Sequence, residues 1–262
     1  MDLGIRGKHA LVAAASTGLG RAAAVGLGGE GAKLTLAART EGTLAEAAAE
    51  VEKAGGEAHP VVCDLTDGVA IEKLLRAAKE RFGPVEILVT NSGGPPPGTF
   101  DAADDEAWGK AVDGLLLSVA RLVRGTLPEM KEAGWGRIVA LASMSVRRPI
   151  ENLLLSNAVR PAVVGLVKSL ALEAGGSGVT CNAIATGYTK TARLDGLAAA
   201  LAEKEGIEPE EVFRRWGAGI PAGRIGRPEE LADLVLFLAS ERAAYLNGVT
   251  VPFDGGGCLC LP

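Results

Sequence analysis

Residues 11–25 read LVAAASTGLGRAAAV, and this stretch decides the fold. A short apolar run ends in a turn at residues 14–20, which contains Gly18 and Gly20, and an alanine-rich helical pattern follows at once. Glycines let the backbone approach a pyrophosphate closely, and the free N–H groups of a helix N-terminus favour an anion there. A glycine turn between a strand and a helix is typical of a domain that binds a dinucleotide.

Short apolar runs continue to alternate with longer alanine- and leucine-rich stretches along the chain. This rhythm predicts an α/β fold, a Rossmann-type doubly wound parallel sheet of seven strands with helices on both faces. The predicted strands are residues 8–13, 33–37, 58–62, 87–90, 137–141, 179–184 and 249–251. The predicted helices are residues 20–29, 43–54, 69–82, 106–132, 156–174 and 228–240. Seven strands fit the 262 residues as one domain, residues 1–262.

One segment, residues 188–225, has no strand-like run and only two helix-like pieces, at 197–204 and 209–216. Ligands of open α/β sheets bind beyond the carboxyl ends of the strands. An insertion after the sixth strand is therefore expected to form a lid or a substrate wall. An ordinary surface excursion is the alternative.

The composition excludes several classes of partner. A net charge of −5 without a basic block argues against nucleic acid and against an anionic membrane. The longest apolar runs carry a charge or are shorter than the roughly 18 residues that span a bilayer. Residues 1–8 lack the apolar core of a signal peptide, which predicts a cytoplasmic protein.

The four cysteines are too sparse for a disulfide framework and are expected to be reduced thiols. Cys258 and Cys260 could form half of a metal site. Neither histidine, His9 or His59, has a matching ligand spacing, so no metal is predicted and a small apolar tail is the preferred interpretation.

Arg39 follows the second strand, at the end that faces the adenine ribose in a dinucleotide fold. An acid at this place would bind the 2′-hydroxyl of NAD, whereas an arginine can bind the 2′-phosphate of NADP. No acid is present, so the sequence favours NADP(H) over NAD(H). Stacking on the adenine, or simple solvation, are the alternatives for Arg39.

Further motifs follow the later strands in order. They are Cys63-Asp64-Leu65, Asn91-Ser92-Gly93-Gly94, Gly136-Arg137-Ile138-Val139 with Ser143, and Asn182-Ala183-Ile184-Ala185-Thr186-Gly187. With the glycine turn, they resemble the classical short-chain dehydrogenase/reductase family, close to the β-ketoacyl-carrier-protein reductases, over essentially the whole chain. Two positions depart from the family: Ala14 replaces the first glycine of the turn, and Thr186 replaces a proline.

The resemblance implies where the cofactor binds. Thr191 falls where a threonine of the family often contacts the nicotinamide amide. The implied cofactor-binding residues are Ala14, Ser16, Thr17, Gly18, Leu19, Gly20, Arg39, Asp64, Leu65, Asn91, Ser92, Gly93, Arg160, Thr186, Gly187 and Thr191.

The catalytic positions of the family are only partly kept. The family uses a serine, a tyrosine thirteen residues later, a lysine four residues after that, and an asparagine on an earlier helix. Ser143 matches the serine, but Ser156, Arg160 and Leu115 stand at the other three places. A serine hydroxyl is a far weaker acid than a phenol, and an arginine does not give up its proton in a protein. Loss of general acid–base help typically costs about 10²–10⁴ in rate.

Three hypotheses follow. The chain is a 3-oxoacyl-reductase-like oxidoreductase with altered chemistry, in which Tyr188 or a water moves the proton. Alternatively, it is an NADP(H)-binding sensor or scaffold without turnover. A third hypothesis is an enzyme of another class that uses the substrate pocket implied by the resemblance. Tyr188 can equally be a packed loop aromatic.

The expected partner is a small carbonyl or alcohol. Four arginines could favour an anionic one, although simple solvation is the alternative for all four: Arg147, Arg148, Arg160 and Arg193. The family's corresponding helices pair subunits, so the resemblance implies a homo-oligomer, a dimer or a homotetramer.

Overall fold

The glycine turn follows a strand in the interior of the sheet. The computed structural model describes residues 2–259. Within them, seven strands form one parallel sheet in the order β3-β2-β1-β4-β5-β6-β7. The strands are β1 (His9–Ala13), β2 (Lys33–Ala38), β3 (Glu57–Val62), β4 (Ile87–Thr90), β5 (Gly136–Ser143), β6 (Val179–Thr186) and β7 (Thr250–Phe253). The order reverses between β1 and β4, which is where ligands bind in open α/β sheets.

The helices of the described residues connect these strands. They are α1 (Gly18–Gly29), α2 (Glu41–Ala54), α3 (Gly68–Phe82), α4 (Asp105–Val112), α5 (Ser118–Glu132), α6 (Leu154–Glu173), α7 (Ala192–Glu205), α8 (Pro209–Ala218) and α9 (Pro228–Ala239). The predicted fold class, a seven-stranded parallel sheet with helices on both faces, is confirmed.

Two apolar layers cover the two faces of the sheet. Helices α1, α2 and α9 pack on one face, where Val12 of β1 is buried. Helices α3, α5 and α6 pack on the other, where the neighbouring Leu11 is buried. Successive strand side chains point to opposite faces, so a central strand covered on both sides must be apolar throughout. The edge strand β3 differs, because it is half-exposed along most of its length.

The predicted single helix over residues 106–132 is wrong in one respect. The structure has α4 and α5 separated by a π-helical turn, Asp113–Leu117. Ser118 Oγ donates to the Gly114 carbonyl at 2.7 Å, and Leu115 is buried inside the turn. Such π-turns interrupt helices mostly at functional sites, and the alanine-rich periodicity of the sequence does not reveal them.

Residues 188–225 contain the two helices α7 and α8, both longer than the helix-like pieces in the sequence. Ala198, Ala202 and Val212 form a small apolar core of their own between these helices. The segment therefore packs as a unit beyond the carboxyl end of β6.

Helix α6 is the one helix of residues 2–259 long and apolar enough to cross a membrane. Its buried side chains, among them Val163, Val167 and Leu170, belong to the core on the sheet, which accounts for its apolar character. The described residues hold no cluster of His, Cys, Asp or Glu that could bind a metal. Cys63, Cys181 and Cys258 are free thiols, and Cys260 lies outside the described residues.

Candidate active site

The predicted cofactor-binding residues gather at the carboxyl edge of the sheet. The turn at residues 14–20 follows β1, Arg39 follows β2, and Asp64 and Leu65 follow β3. Asn91, Ser92 and Gly93 follow β4, and Thr186 and Gly187 close β6. Because parallel strands end at the same edge, residues distant in sequence share one cleft.

The glycine turn after β1 has no space for extra side chains. A Cβ on Gly20 would lie 2.3 Å from the Ala14 carbonyl oxygen and 2.9 Å from Asn91 Nδ2. Asn91 Nδ2 itself donates to the Ala14 carbonyl at 3.4 Å. The segment after β4 is thus tied to the turn, and Gly20 permits their close approach.

Ala14 adopts a left-handed conformation, with φ of 48°. Left-handed backbone is costly for a residue with a Cβ, by roughly 1–2 kcal/mol relative to glycine. The family has a glycine at this place, and the structure shows why. The turn therefore carries local strain at Ala14.

The start of α1 fits a pyrophosphate. Thr17, the residue before the helix, makes no capping hydrogen bond with its side chain. Asp67 caps α3 and Asp104 caps α4 by accepting from backbone N–H groups, whereas α1 shares the lack of a side-chain cap with α2, α6 and α8. Helix N-termini carry partial positive charge and unpaired N–H groups, so α1 retains an anion-binding start. A Cβ on Gly18 would meet the Thr191 methyl at 3.4 Å, which places Thr191 against this turn.

The adenine end carries one cation and one acid. Arg39 is exposed just beyond β2. The Thr66 backbone N–H donates to Asp64 Oδ1 at 2.9 Å and, with the nearby Arg39 charge, holds the pKa of Asp64 below its ordinary value. Arg39 is therefore near the Asp64 side chain and remains free to meet a phosphate.

Ser143 ends β5 and lies beside Thr186 in the pairing of β5 with β6. The Thr186 hydroxyl donates to the Ala142 carbonyl at 2.8 Å. A proline, which the family has here, could not make this bond. Thr186 thus fastens the end of β6 to the strand that carries Ser143.

A chain of hydrogen bonds joins three serines to Arg160. The Ser145 N–H donates to Ser143 Oγ at 3.1 Å, and the Ser145 and Ser156 hydroxyls are 3.3 Å apart. Arg160 Nε donates to Ser156 Oγ at 3.1 Å. Because Ser156 accepts from Arg160, its own proton is free to point at Ser145. Sequence reasoning missed Ser145, since only the fold brings it between Ser143 and Ser156.

Arg160 has a lowered pKa but remains a cation. Burial, and then the charge of Arg193, lowers the pKa of Arg160 to about 10. The guanidinium still holds its proton at neutral pH. The network therefore contains serine hydroxyls and a permanent cation, with no group that exchanges a proton near pH 7.

Leu115, at the place of the family's asparagine, is buried in the π-turn. It packs with Ala111 of α4 and with Leu155 and Val159 of α6. The leucine makes this wall apolar. The side chain cannot anchor a proton relay.

Tyr188 lies in a different setting from the serine network. Its ring stacks on Trp216, with centroids 5.0 Å apart and planes 7° apart. It lines a cavity of about 170 Å³ together with Arg224, Glu230 and Phe253. The role of Tyr188 as a proton donor stays a prediction, and the stack on Trp216 of α8 fixes the orientation of its ring.

Arg193 opens α7 and reaches the loop after β4. Its Nη1 donates to the Gly94 carbonyl and its Nη2 to the Pro95 carbonyl, both at 2.9 Å. Arg147 instead donates to the Thr250 carbonyl on β7 at 3.0 Å. Arg193 thus ties the start of α7 to the loop after β4, whereas Arg147 reaches β7.

Comparisons with known proteins match nearly the whole chain. A family model described as Enoyl-(Acyl carrier protein) reductase matches residues 13–257. The 3-oxoacyl-(acyl-carrier-protein) reductase FabG of Escherichia coli is 33% identical over 254 residues, 97% of this chain and 98% of that protein. Dehydrogenase/reductase SDR family member 4 of Oryctolagus cuniculus is 32% identical over 250 residues, 95% of this chain and 93% of that protein.

A solved structure of similar sequence has the same fold as this chain. The crystal structure of L-sorbose reductase from Gluconobacter frateurii, complexed with NADPH and L-sorbose, has a TM-score of 0.96. It is 32% identical and covers 100% of both chains. The predicted resemblance is therefore confirmed in sequence and in fold.

Proposed function

We infer the activity from one premise: this chain belongs to the short-chain dehydrogenase/reductase family and is an oxidoreductase of that type. Its function is the NADP(H)-dependent interconversion of a small carbonyl compound and its alcohol, in the manner of a 3-oxoacyl reductase. One observation carries the proposal: an uncapped helix start behind a tight glycine turn shares a cleft with Ser143.

The chain's own residues supply the cofactor site. The first turn of α1, with Ser16, Thr17 and Leu19, would hold the pyrophosphate, and Asp64 with Leu65 would line the adenine. The segment Asn91–Gly93 and the end of β6 would border the nicotinamide. When bound, NADP(H) supplies or accepts the hydride.

Ser143 is the donor for the substrate oxygen. Its hydroxyl accepts from the Ser145 N–H, so its own proton is available for a carbonyl. Arg160 adds positive charge beside Ser156, which stabilises negative charge on the substrate oxygen. Neither residue releases a proton at neutral pH, so the proton comes from water in the cleft. Turnover is expected to be slow relative to a family member with the complete set.

The preference for NADP(H) rests on Arg39, the cation beyond β2. An arginine binds a 2′-phosphate through paired, charge-assisted hydrogen bonds. Arg39→Gln should weaken NADPH binding about tenfold and leave NADH binding unchanged. A fluorescence titration with both cofactors measures this. Equal losses for both would remove the basis of the preference.

Turnover is tested by NADPH oxidation with a β-ketoacyl thioester and with a simple diketone. Activity that falls with Ser143→Ala and survives Tyr188→Phe supports the proposed roles. A protein that binds NADPH tightly but turns over neither substrate class would instead be the sensor or scaffold.

Assembly and location extend the same proposal. Leu117 and Leu172, near α5 and on α6, are 37% and 78% exposed, as expected of helices that pair subunits into a dimer or tetramer. Residues 188–225 would serve as the wall of the substrate cleft. We place the protein in the cytoplasm, where its cysteines would remain reduced. Analytical ultracentrifugation measures the assembly, and a monomer at micromolar concentration would contradict it.

A further inference from the structure

Residues 94–98, which read Gly-Pro-Pro-Pro-Gly, form a segment after β4 that is called the proline bridge below. Residues 94–97 belong to no helix or strand. Proline fixes φ at about −65° and has no N–H group, so three prolines in a row favour a stiff, extended backbone. Four such steps span roughly 12 Å. The function inferred above gives this segment no role.

The far end of the proline bridge is fastened to the start of α6. The Gly98 N–H donates to the Asn152 carbonyl at 2.7 Å, and the Leu154 N–H donates to the Gly98 carbonyl at 3.3 Å. These two bonds pair Gly98 with Leu153 in parallel, outside the seven strands of the sheet. Ser156 lies in the first turn of α6. This end of the bridge is therefore tied to the helix that carries the serine network.

The near end of the proline bridge is fastened to the start of α7 by Arg193. Its Nη1 donates to the Gly94 carbonyl and its Nη2 to the Pro95 carbonyl, both at 2.9 Å. Arg193 is an exposed residue, but two charge-assisted bonds from one planar group favour a single orientation. A Cβ on Gly94 would lie 2.6 Å from Arg193 Nη2, so the glycine leaves the space that this contact needs.

The start of α7 contacts both sides of the crevice where the strand order reverses. On the β1 side, the Thr191 methyl group lies 3.4 Å from where a Cβ on Gly18 would stand. On the β4 side, Arg193 holds the proline bridge. The Thr191 hydroxyl accepts from the Leu194 N–H at 3.3 Å, which joins its side chain to the first turn of α7. The place of Thr191 over the glycine turn therefore depends on where α7 is anchored.

We propose that Arg193 is a positioning residue, which uses the proline bridge to hold α7 at a fixed distance from α6 and keeps Thr191 at the nicotinamide end of the cofactor site. The proposal rests on the function inferred above, because it needs NADP(H) in the cleft. A site that is assembled beforehand binds more tightly, since no binding free energy is used to bring α7 into place. The adenine half of the site, at the ends of β2 and β3, does not depend on this anchor.

Binding of the whole cofactor and of its adenine half tests the role of Arg193 in the full-length protein. Arg193→Gln should weaken NADPH about tenfold in a fluorescence titration, the usual effect of losing a charge-assisted contact. It should leave adenosine 2′,5′-bisphosphate, titrated by calorimetry, unchanged, because this probe has no nicotinamide. Arg214→Gln is the matched control. It removes the same charge from α8, where its partner Glu211 lies on the same helix, and it should change neither affinity.

Two further variants keep the charge and alter the anchor. Gly94→Ala displaces the guanidinium of Arg193 from the two carbonyls and should weaken NADPH as much as Arg193→Gln does. Arg193→Lys should keep part of the affinity, because an ammonium group can still donate to one carbonyl. Gly196→Ala adds a methyl group inside α7 with nothing within 4 Å of it, and it should leave NADPH binding unchanged.

Hydrogen exchange of the protein without cofactor measures the anchor itself. Arg193→Gln should raise the exchange rates of the α7 amides about tenfold, because the helix loses its tie to the rest of the edge. Arg214→Gln should not change them. A triple variant keeps both ends of the proline bridge but removes its stiffness, and it should act on NADPH binding as Arg193→Gln does: Pro95→Ser, Pro96→Gly, Pro97→Ser.

The results separate this role from a general effect on charge or stability. Arg193→Gln protein that binds NADPH as tightly as the parent, or that binds both ligands more weakly by the same factor, would overturn the positioning role. Unchanged exchange of α7 in both Arg193→Gln and Gly94→Ala would overturn the anchor. A parent that binds no NADPH contradicts the proposed function, whereas the exchange measurement still tests the anchor, so the two failures are distinguishable.

Discussion

The two halves of the carboxyl edge differ in what they keep. Around β1 to β4, the cofactor half retains the family's turn, its Asn91 contact and its uncapped α1. Around β5 and α6, the catalytic half retains Ser143 and replaces three other groups. Binding in the cofactor half depends on the shape of the backbone, whereas catalysis in the other half depends on the chemistry of individual side chains.

This contrast shows how a fold can hold its cofactor site while its chemistry changes. The glycine turn accommodates Ala14 at the cost of local strain, with φ of 48° at this residue. A tyrosine that becomes a serine loses its acid function altogether, although Ser156 fills the position with a complete hydrogen-bond network. A tight cofactor site is therefore weak evidence for ordinary catalysis.

The largest effect is expected where the family's chemistry is restored. The double variant Ser156→Tyr, Arg160→Lys should raise NADPH oxidation about one hundred to ten thousandfold, the usual contribution of a general acid. A lysine beside the phenol lowers its pKa toward neutral pH, which Arg160 in its bond to Ser156 does not achieve. Steady-state kinetics with a diketone measures the gain.

Arg160→Lys alone is the matched control, and it should change the rate little because no phenol is present. Adding Ser143→Ala to the double variant should remove the gain. A folded double variant that binds NADPH but stays inert would show that the catalytic half has diverged beyond two side chains. Leu115, which closes the wall of the relay, is then the first place to change.

One added methyl group in the glycine turn should both destabilise the protein and abolish NADPH binding. Gly20→Ala would place a Cβ 2.3 Å from the Ala14 carbonyl oxygen, and this backbone carbonyl cannot move aside without distorting the turn. We expect a loss of roughly 3 kcal/mol in the free energy of unfolding and loss of NADPH binding, measured by urea unfolding and fluorescence titration.

Gly29→Ala, at the exposed end of the same helix, is the control. Nothing lies within 4 Å of its added Cβ, so it should stabilise the protein by about 0.5–1 kcal/mol. If Gly20→Ala folds normally and binds NADPH, the close approach of turn and Asn91 segment is not what holds the site together.

The sequence predicted the fold well because its signals are local. Central strands covered on both faces must be apolar, and the glycine turn fixes the first crossover. All seven strands lie where the apolar runs are, with ends that differ by at most two residues. The π-turn at Asp113–Leu117 was not predictable, because it follows from how Leu115 packs against α6 and not from periodicity.

The site was predictable only where position along a strand decides the role. Ser143 ends β5 and Thr191 caps α7, and both positions follow from where the sequence pattern places strands and helices. Ser145 and the contact of Arg193 with Gly94 depend on side chains from distant segments, 99 residues apart in the second case. Tyr188 is predicted from its nearness in sequence to Gly187; its ring stacks on Trp216, and its catalytic role stays a prediction.

A smaller effect, a gain in stability, is expected when the strain in the glycine turn is removed. Ala14→Gly removes a Cβ from a backbone with φ of 48°, which should stabilise the protein by about 1 kcal/mol and raise Tm by about 3 °C. Ala15→Gly is the control, because Ala15 is fully buried with ordinary backbone angles, and it should destabilise. Equal effects of the two changes, read by thermal unfolding, would mean that Ala14 is not strained.

The smallest expected effect is a pH dependence of the free energy of unfolding. It originates in the cofactor half, because both histidines of the chain lie there. His9 is buried on β1, with Nδ1 2.9 Å from the Gly83 carbonyl and Nε2 2.9 Å from Thr35 Oγ1. Burial lowers the pKa of His9 below its ordinary value of 6.5. The neutral ring can donate from Nδ1 and accept at Nε2, so both bonds form without a charge.

The sign of the pH effect follows from this lowered pKa. Between the folded pKa of His9 and 6.5, the unfolded chain binds the proton and the folded chain does not. The free energy of unfolding should therefore be constant above about pH 7.5 and fall as the pH drops through 6.5. Urea unfolding from pH 8 to 5.5 measures the slope, and His59→Gln, at a half-buried site on β3, should leave most of it. A slope that vanished in His59→Gln would assign the acid sensitivity to His59 on the edge strand instead of His9.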